Sequence, residues 1–391
     1  MRILYLAFVE TDISNACVIH TREIVENLSA LGHEVTVVLP RPLKTQIWKN
    51  IDHRWVRFWG FDRPRKYIFF LMSAWRIFWM HRKRPYDLLY LRETQHTPLL
   101  LLLLRLTKLP LFVEVNGWLL DDLHLKGATK KHISSAKVRQ QKLFHAATGI
   151  LVSTTGNADR LASFYGVQKG RIRVQELGCN TTLFKAGDQE RSRALLDLPA
   201  NAKLILFAGS FHHHHDLKIL IESFSLVLKQ HPESYLILLG TGAQFETIQR
   251  EVDELRLDGH VILPGVRPYE EIPIWHRAVD IAILPLTAKK VEQQNGCFSL
   301  KLWEYMASGL PVIATDFSHT PSAKLLDGKV LIVPPEDIVT MTTAIMRLLK
   351  DTSLCCLLSA AGRSYVLEHR SWRHAARETI DFIVIRLQAQ P

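Results

Sequence analysis

Cysteine is scarce in this 391-residue chain: the five residues, Cys17, Cys179, Cys297, Cys355 and Cys356, form no CxxC pair, and their odd number would strand one thiol if the rest were bridged. A disulfide scaffold is therefore excluded, and a reducing compartment fits. Low-complexity tracts are absent, and no apolar run reaches the roughly 18 residues that read as a membrane span. The N-terminal apolar stretch Met1 to Phe8 reaches Glu10 without a cleavage site, so it reads as a buried strand of a cytoplasmic protein rather than a signal peptide. No helix-turn-helix, zinc-knuckle or RNP pattern occurs, and nucleic acid is not an expected partner. A DxD pair for a divalent ion is also missing, so no metal is expected.

What is present is a composition able to fold. Hydrophobic residues make up 47% and charged residues 22%, which supports large cores, and the length favours two domains. The net charge of +11 is concentrated rather than spread. Between Arg41 and Arg84 twelve Lys/Arg face two acids, Asp52 and Asp62, among eleven aromatics that include Trp55, Trp59, Trp75 and Trp79. Cations interleaved with Trp and Phe suit an anionic membrane surface, where charges meet headgroups and rings sit at the interface. A solvated helical hairpin would carry the same residues. The segment Tyr67 to Met80, apolar nearly all round except at Arg76, covers about two thirds of a bilayer-spanning length and is expected to lie on a membrane or in a groove. The shorter run Leu99 to Leu104 predicts a buried helix.

Alternation of strand and helix periods runs through both halves. Strands are predicted at Ile3–Phe8, Glu34–Leu39, Leu88–Leu91, Leu111–Val115 and Gly149–Ser153, with a helix over 16–31. A polar stretch near 177–191 interrupts the series. Six further strands follow, at Leu204–Ala208, Tyr235–Leu239, His260–Leu263, Ile281–Leu284, Val312–Ala314 and Val330–Val333. The pattern predicts an α/β protein of two Rossmann-like domains, residues 1–185 and 186–368, with a closing helix over 369–391. Ligands of open parallel sheets bind beyond the strands' carboxyl ends, so the active site is expected in a cleft between the halves.

The segment from Asn295 to Asp316 carries the sharpest chemistry. A loop, Asn295-Gly296-Cys297-Phe298, leads into a helix capped by Ser299 and continuing through Leu300, Lys301 and Glu304 to Gly309, before the strand at Val312. Exposed amides at such a helix start attract an anion such as a diphosphate. One turn inward, Glu304 can accept from vicinal hydroxyls, as an acid does with ribose in dinucleotide folds, or it can serve as a capping partner. The four histidines 212–215 invite a metal reading, but adjacent residues rarely converge on one ion and no Cys or carboxylate has zinc spacing to them.

This segment resembles the donor-binding motif of the retaining, GT-B fold glycosyltransferases of family 4, whose helix pairs two glutamates eight positions apart. Glu304 matches the second, and Gly296 stands where the first would be. The likeness continues in order along the chain. His20 to His33 is similar to the family's first helix, with Asn15 and Ala16 where Gly-Gly is common; Glu114-Val115-Asn116-Gly117 resembles the strand end that faces acceptor and donor sugar; Leu177-Gly178-Cys179-Asn180 resembles the linker signature. Gly209-Ser210 and His215 resemble the loop that supplies an Arg and a Lys to the diphosphate, with Ser210 in place of the Arg and His215 near the Lys. Pro264-Gly265-Val266-Arg267 resembles the loop whose backbone meets the nucleotide base.

The resemblance implies that Gly296, Phe298, Ser299, Leu300, Lys301 and Glu304 bind a nucleotide sugar together with Ser210, His215, Gly265 and Val266. Protonated His215, Lys218 or Lys301 would supply the positive charge, and His215 in that role predicts weaker binding at alkaline pH. Asn15, Ala16, His20, Glu114 and Asn116 would face the acceptor and the donor sugar. Asn116 and Glu304 are the catalytic candidates, Asn116 as a positioning group. Glu114 also reads as a buried structural acid and His20 as a helix-surface residue. The implied reaction is retaining transfer of a sugar to a lipid-linked or envelope glycan acceptor, with a nucleotide sugar as co-substrate and no other cofactor. A nucleotide-sugar epimerase of the same fold and a non-catalytic partner subunit are the alternatives, and the oligomeric state is not set by the sequence.

Overall fold

The computed structural model describes residues 1–12, 16–43, 47–56, 62–93, 97–125, 127–294, 299–318 and 320–389. Asn15, Trp59, Gly296, Cys297 and Phe298 lie outside the described residues. Contacts divide the chain into two compact units, Met1–Leu177 with Trp372–Pro391, and Gly178–Ser371.

The first unit is built on a seven-stranded parallel sheet: β1 (Arg2–Leu6), β2 (Glu34–Pro40), β3 (Asp52–Val56), β4 (Leu88–Arg92), β5 (Leu111–Val115), β6 (Gly149–Val152) and β7 (Ile172–Val174), in the order β3-β2-β1-β4-β5-β6-β7. Parallel strands covered by helices on both faces need apolar residues throughout, and β1, β4, β5 and β6 supply such runs. One core layer includes Leu4, Leu89, Val113 and Ile150, and the opposite layer includes Ile3, Tyr5, Tyr90 and Phe112. Neighbouring residues of one strand thus serve opposite faces. Helix α1 (Ala16–Ala30) buries Val18, Ile24, Val25 and Leu28, and the C-terminal helix Trp372–Gln388 packs against α1 and adds Ala376, Phe382 and Ile383 to that layer.

Two strands were not anticipated from the sequence, β3 and β7, and both are sheet edges. An edge strand needs no continuous apolar run, so Asp52-His53-Arg54-Trp55-Val56 reads as surface. After β3 comes α2 (Asp62–Lys83), longer than the expected 67–80 and carrying charged residues at both ends and at Arg76; among the described residues no helix is long and apolar enough to cross a membrane. Phe69, Phe70 and Ile77 of α2 enter the core, whereas Tyr67, Leu71, Met72, Trp75 and Trp79 remain exposed. The helix Thr97–Thr107 is likewise only half sunk: Leu100 and Leu103 are buried, but Leu102 and Leu106 are exposed, which corrects the expectation of a wholly buried run.

The second unit repeats the plan with six parallel strands, β8 (Lys203–Ala208), β9 (Ser234–Leu239), β10 (Val261–Ile262), β11 (Ile281–Leu284), β12 (Val312–Thr315) and β13 (Leu331–Val333). Their order, β10-β9-β8-β11-β12-β13, reverses direction between β8 and β11. At such a switch point the loops leaving adjacent strands diverge and open a crevice at the carboxyl ends. The loops leaving β8 and β11 meet there, with a bridge between His215 and Leu286.

Candidate active site

The helix Leu300–Ala307 starts at Ser299, whose hydroxyl accepts from the Lys301 amide at 3.4 Å, and stops before Gly309. Tyr305 ties the helix to the end of β8: its hydroxyl accepts from the Ala208 amide at 2.8 Å and donates to the Ala208 carbonyl at 3.3 Å. The helix start is thereby fixed beside the loop that leaves β8. Glu304 lies one turn inward and is buried, 8% exposed, with Oε1 accepting from the Tyr269 hydroxyl at 3.0 Å. Tyr269 in turn meets Phe184, a fully buried ring just past the linker, at 5.4 Å between centroids.

Lys301 and His215 form the electrostatic centre of this cluster. His215 is 2% exposed, and its Nδ1 lies 2.8 Å from the Ser210 carbonyl, so Nδ1 carries the proton and donates. Nε2 is then a lone pair, and Lys301 Nζ donates to it at 3.4 Å. Burial, and next the Lys301 charge, push the imidazole down to about 2. His215 is neutral at physiological pH. This corrects the expectation that His215 supplies a cation: it is an acceptor that holds one. Lys218 is turned to Glu222 and Glu251, at 3.7 and 3.9 Å. Lys301 is the charge that remains, pushed down to about 8 by burial and partly supported by Glu304.

Glycines shape the space around Lys301. A Cβ on Gly209 would sit 1.9 Å from Lys301 Cε, and one on Gly240 would sit 1.9 Å from the Gly209 carbonyl oxygen, so both loops need bare backbone. Gly265, by contrast, has open space but a φ of +76, which favours glycine on conformational grounds alone. Val266 beside it is exposed. The histidine run does not gather ligands; among the described residues no group of three His, Cys, Asp or Glu could hold a metal ion.

The first unit holds a second polar cluster, also at the carboxyl ends of its strands. Glu114, 3% exposed at the end of β5, accepts from Arg92 Nη1 at 2.9 Å, from Tyr5 Oη at 3.3 Å and from Asn116 Nδ2, and His20 Nε2 stands 3.5 Å away. Burial disfavours its charge, but His20 and Arg92 outweigh that and hold the carboxyl below its usual range. Burial brings His20 down to about 4, with Glu114 working the other way. With His20 neutral near pH 7, Arg92 is the lasting countercharge. His20 is not on the helix surface: it is buried, and its ring meets Trp372 at 5.0 Å with the planes tilted by 41°.

The structure therefore collects Ser210, His215, Ser299, Lys301 and Glu304 in the second unit, and His20, Glu114 and Asn116 in the first. Leu300 opens the capped helix, Ala16 is exposed at the start of α1, and Gly265 and Val266 form an open turn after β10. Arg92, Tyr5, Tyr269 and Tyr305 were missed. A charged residue closing the apolar strand Leu88–Arg92 was a readable signal for the first; the tyrosines gave none beyond their apolar surroundings.

Comparison with known proteins gives the family and the fold. The family profile described as glycosyl transferases group 1 matches residues 188–365, and a glycosyl transferase 4-like domain matches residues 16–178. The chain belongs to the group 1 glycosyltransferases. It is similar to the GDP-mannose-dependent alpha-(1-6)-phosphatidylinositol monomannoside mannosyltransferase of Mycolicibacterium smegmatis, 27% identical over 173 residues, which is 44% of this chain and 45% of that one. The chain thus spans about half the length of that curated relative. Among solved structures it resembles sucrose-phosphate synthase from Thermosynechococcus elongatus, with a TM-score of 0.76 and 19% identity over the whole of both chains. The Anabaena protein HepE, in complex with UDP and glucose, superposes with a TM-score of 0.75 and 16% identity, covering 98% of this chain and 99% of that one. The glycosyltransferase has the GT-B fold.

Proposed function

We propose that this glycosyltransferase transfers a sugar from a nucleotide-sugar donor, with retention, to a lipid-linked or envelope glycan acceptor at a membrane surface. The observation that carries the reading is the conjunction at the second sheet's switch point: a Ser299-capped helix start, Lys301 oriented by His215, and the buried carboxylate of Glu304. In this reading the diphosphate lies on the helix amides and Lys301, the ribose hydroxyls donate to Glu304, and the base meets the backbone of Gly265 and Val266. As the glycosidic bond to phosphate breaks, negative charge grows on the leaving diphosphate, and amides and ammonium already in place stabilise it without reorganising. Lys301 and the amides meet that charge, and the scheme includes no metal.

On the first unit Glu114, locked by Arg92, accepts from the Asn116 amide and fixes its orientation, so Asn116 positions a substrate group rather than taking a proton. Retention is part of the proposal because the resemblance implies it; it requires the acceptor hydroxyl to approach the face that the diphosphate leaves. Support for a lipid-linked acceptor comes from the exposed Trp75 and Trp79 amid the cationic 41–84 region, which would make the enzyme peripheral on the inner face of the plasma membrane. The mycobacterial relative, named for GDP-mannose and a phosphatidylinositol glycan, is consistent with both substrates.

The test is a thermal-shift screen of nucleotide sugars on the wild type and on Glu304→Ala, followed by product analysis with the stabilising donor. A stabilising donor raises the apparent melting temperature by mass action, and Glu304→Ala should abolish most of the shift. If no nucleotide sugar stabilises the wild type, the donor assignment is wrong. Conversion of the donor without a glycosylated product would instead favour an epimerase.

A further inference from the structure

A cluster that neither polar site uses lies at the β3 edge of the first sheet. Between β3 and α2 runs a groove of about 890 Å³, within the roughly 300–1,000 Å³ typical of ligand pockets. Its walls are mainly Trp55, Leu71, Trp75 and Trp79, and its charged residues are Arg41, Arg76 and Lys83; no acid lines it among the described residues. Leu71, Trp75 and Trp79 recur at four-residue intervals and form one stripe on α2, on the side away from Phe69, Phe70 and Ile77 in the core. Trp75 is 67% exposed and Trp79 is 47% exposed, and their rings meet edge-on at 5.7 Å.

The shape and chemistry choose among occupants. A peptide strand added to the β3 edge would need backbone carbonyls, yet at this end Trp55 O already accepts from Arg76 Nη1 at 2.9 Å. That bond holds the Arg76 guanidinium at the carboxyl end of β3, where the Arg41 backbone amide donates to Val56 O at 3.0 Å, and both residues line the groove. A long apolar trough lined by Arg41 and Arg76, with no acid among its described lining, complements an alkyl chain ending in a phosphate. We propose that this groove binds one hydrocarbon chain of a phosphate-bearing membrane lipid, with the phosphate on Arg41 and Arg76. The inference rests on the lipid-acceptor part of the proposed function and narrows it: the membrane contact is a site for a single chain, not only an adhesive surface. The groove and the Glu114 cluster both lie on the first unit, and Trp55, Val56 and Glu114 all stand at the carboxyl ends of its parallel strands.

The experiment uses the full chain and n-alkyl phosphates of increasing length, each below its micellar concentration, followed by tryptophan fluorescence and calorimetry. The expected result is saturable binding of one molecule per chain, with affinity rising about fourfold per added methylene and then levelling off once the groove is filled. Arg41→Gln should remove most of the preference for an alkyl phosphate over the alcohol of equal length, and Arg76→Gln should do the same. Trp75→Ala should weaken every chain length about tenfold or more. The donor-induced thermal shift should be unchanged in these variants, which shows that they fold. Uptake that never saturates, equal binding of phosphate and alcohol, or binding to anionic vesicles without binding of the monomeric phosphates would overturn the proposal. So would a concentration-dependent dimer that Trp75→Ala disrupts, since a second copy would then be the occupant. Loss of the donor assignment alone leaves this measurement standing, so the two readings fail separately.

Discussion

Lys301 gives the site a titration of its own. Its ammonium is pushed down to about 8 in the folded protein, against about 10.4 for an unperturbed lysine. Between those values the unfolded chain holds more protons than the folded one, so this residue's contribution to stability rises with pH across the window. Donor affinity should move the opposite way, falling as pH rises through about 8, because only the charged form attracts a diphosphate. Calorimetric titrations from mildly acidic to alkaline pH would show it, and Lys301→Arg should flatten the profile because guanidinium keeps its proton. A wild-type profile already flat would remove Lys301 from the phosphate site. Glu114 supplies a second residue-scale test. Arg92→Leu should cost about 3–5 kcal/mol by leaving a buried carboxylate uncompensated, and adding Glu114→Gln should restore much of that in denaturant unfolding. Because the folded Glu114 carboxyl sits below its usual range, its contribution is present at neutral pH and is lost as pH falls through the folded value.

The helix Leu300–Ala307 shows how much of an element a sequence reveals. Its cap, its stop at Gly309 and the position of Glu304 were all readable, since capping and termination are local chemistry. Ser299→Ala should cost about 1 kcal/mol of stability and loosen the amides that face the donor. Gly209→Ala should act differently: a methyl group placed 1.9 Å from Lys301 Cε displaces the ammonium, so donor affinity should drop about tenfold or more, a loss visible in the donor-induced melting shift. Retention of full affinity would show that Lys301 adjusts freely and is not pinned by the loop. The elements that escaped, β3 and β7, are edge strands whose sequences carry polar residues, since each has a single neighbouring strand. In α2 the apolar character was plain, but its division into a core face and an exposed tryptophan face was not, because both faces use the same residue types.

At the scale of the molecule, each unit has its own parallel sheet and its own core, and the last helix belongs with the first unit although it follows the second in sequence. Ending the chain after Ser371 would strip Trp372, Phe382 and Ile383 from the first unit, at roughly 1.5–3 kcal/mol for each large side chain. Calorimetry should then show the transition of the first unit shifted down or lost, and that of the second unchanged. One cooperative transition moving as a whole would mean that the units do not unfold independently. The sequence by itself determined the alternation of helices with the strands other than β3 and β7, the GT-B resemblance and the spacing from Ser299 through Lys301 to Glu304, because periodicity and capping are written in neighbouring residues. Only the tertiary structure decided that His215 is a neutral acceptor, that Arg92 and Tyr5 hold Glu114, and that the His20 ring meets Trp372, because burial and pairing between residues far apart in the chain exist only once the strands have been brought side by side.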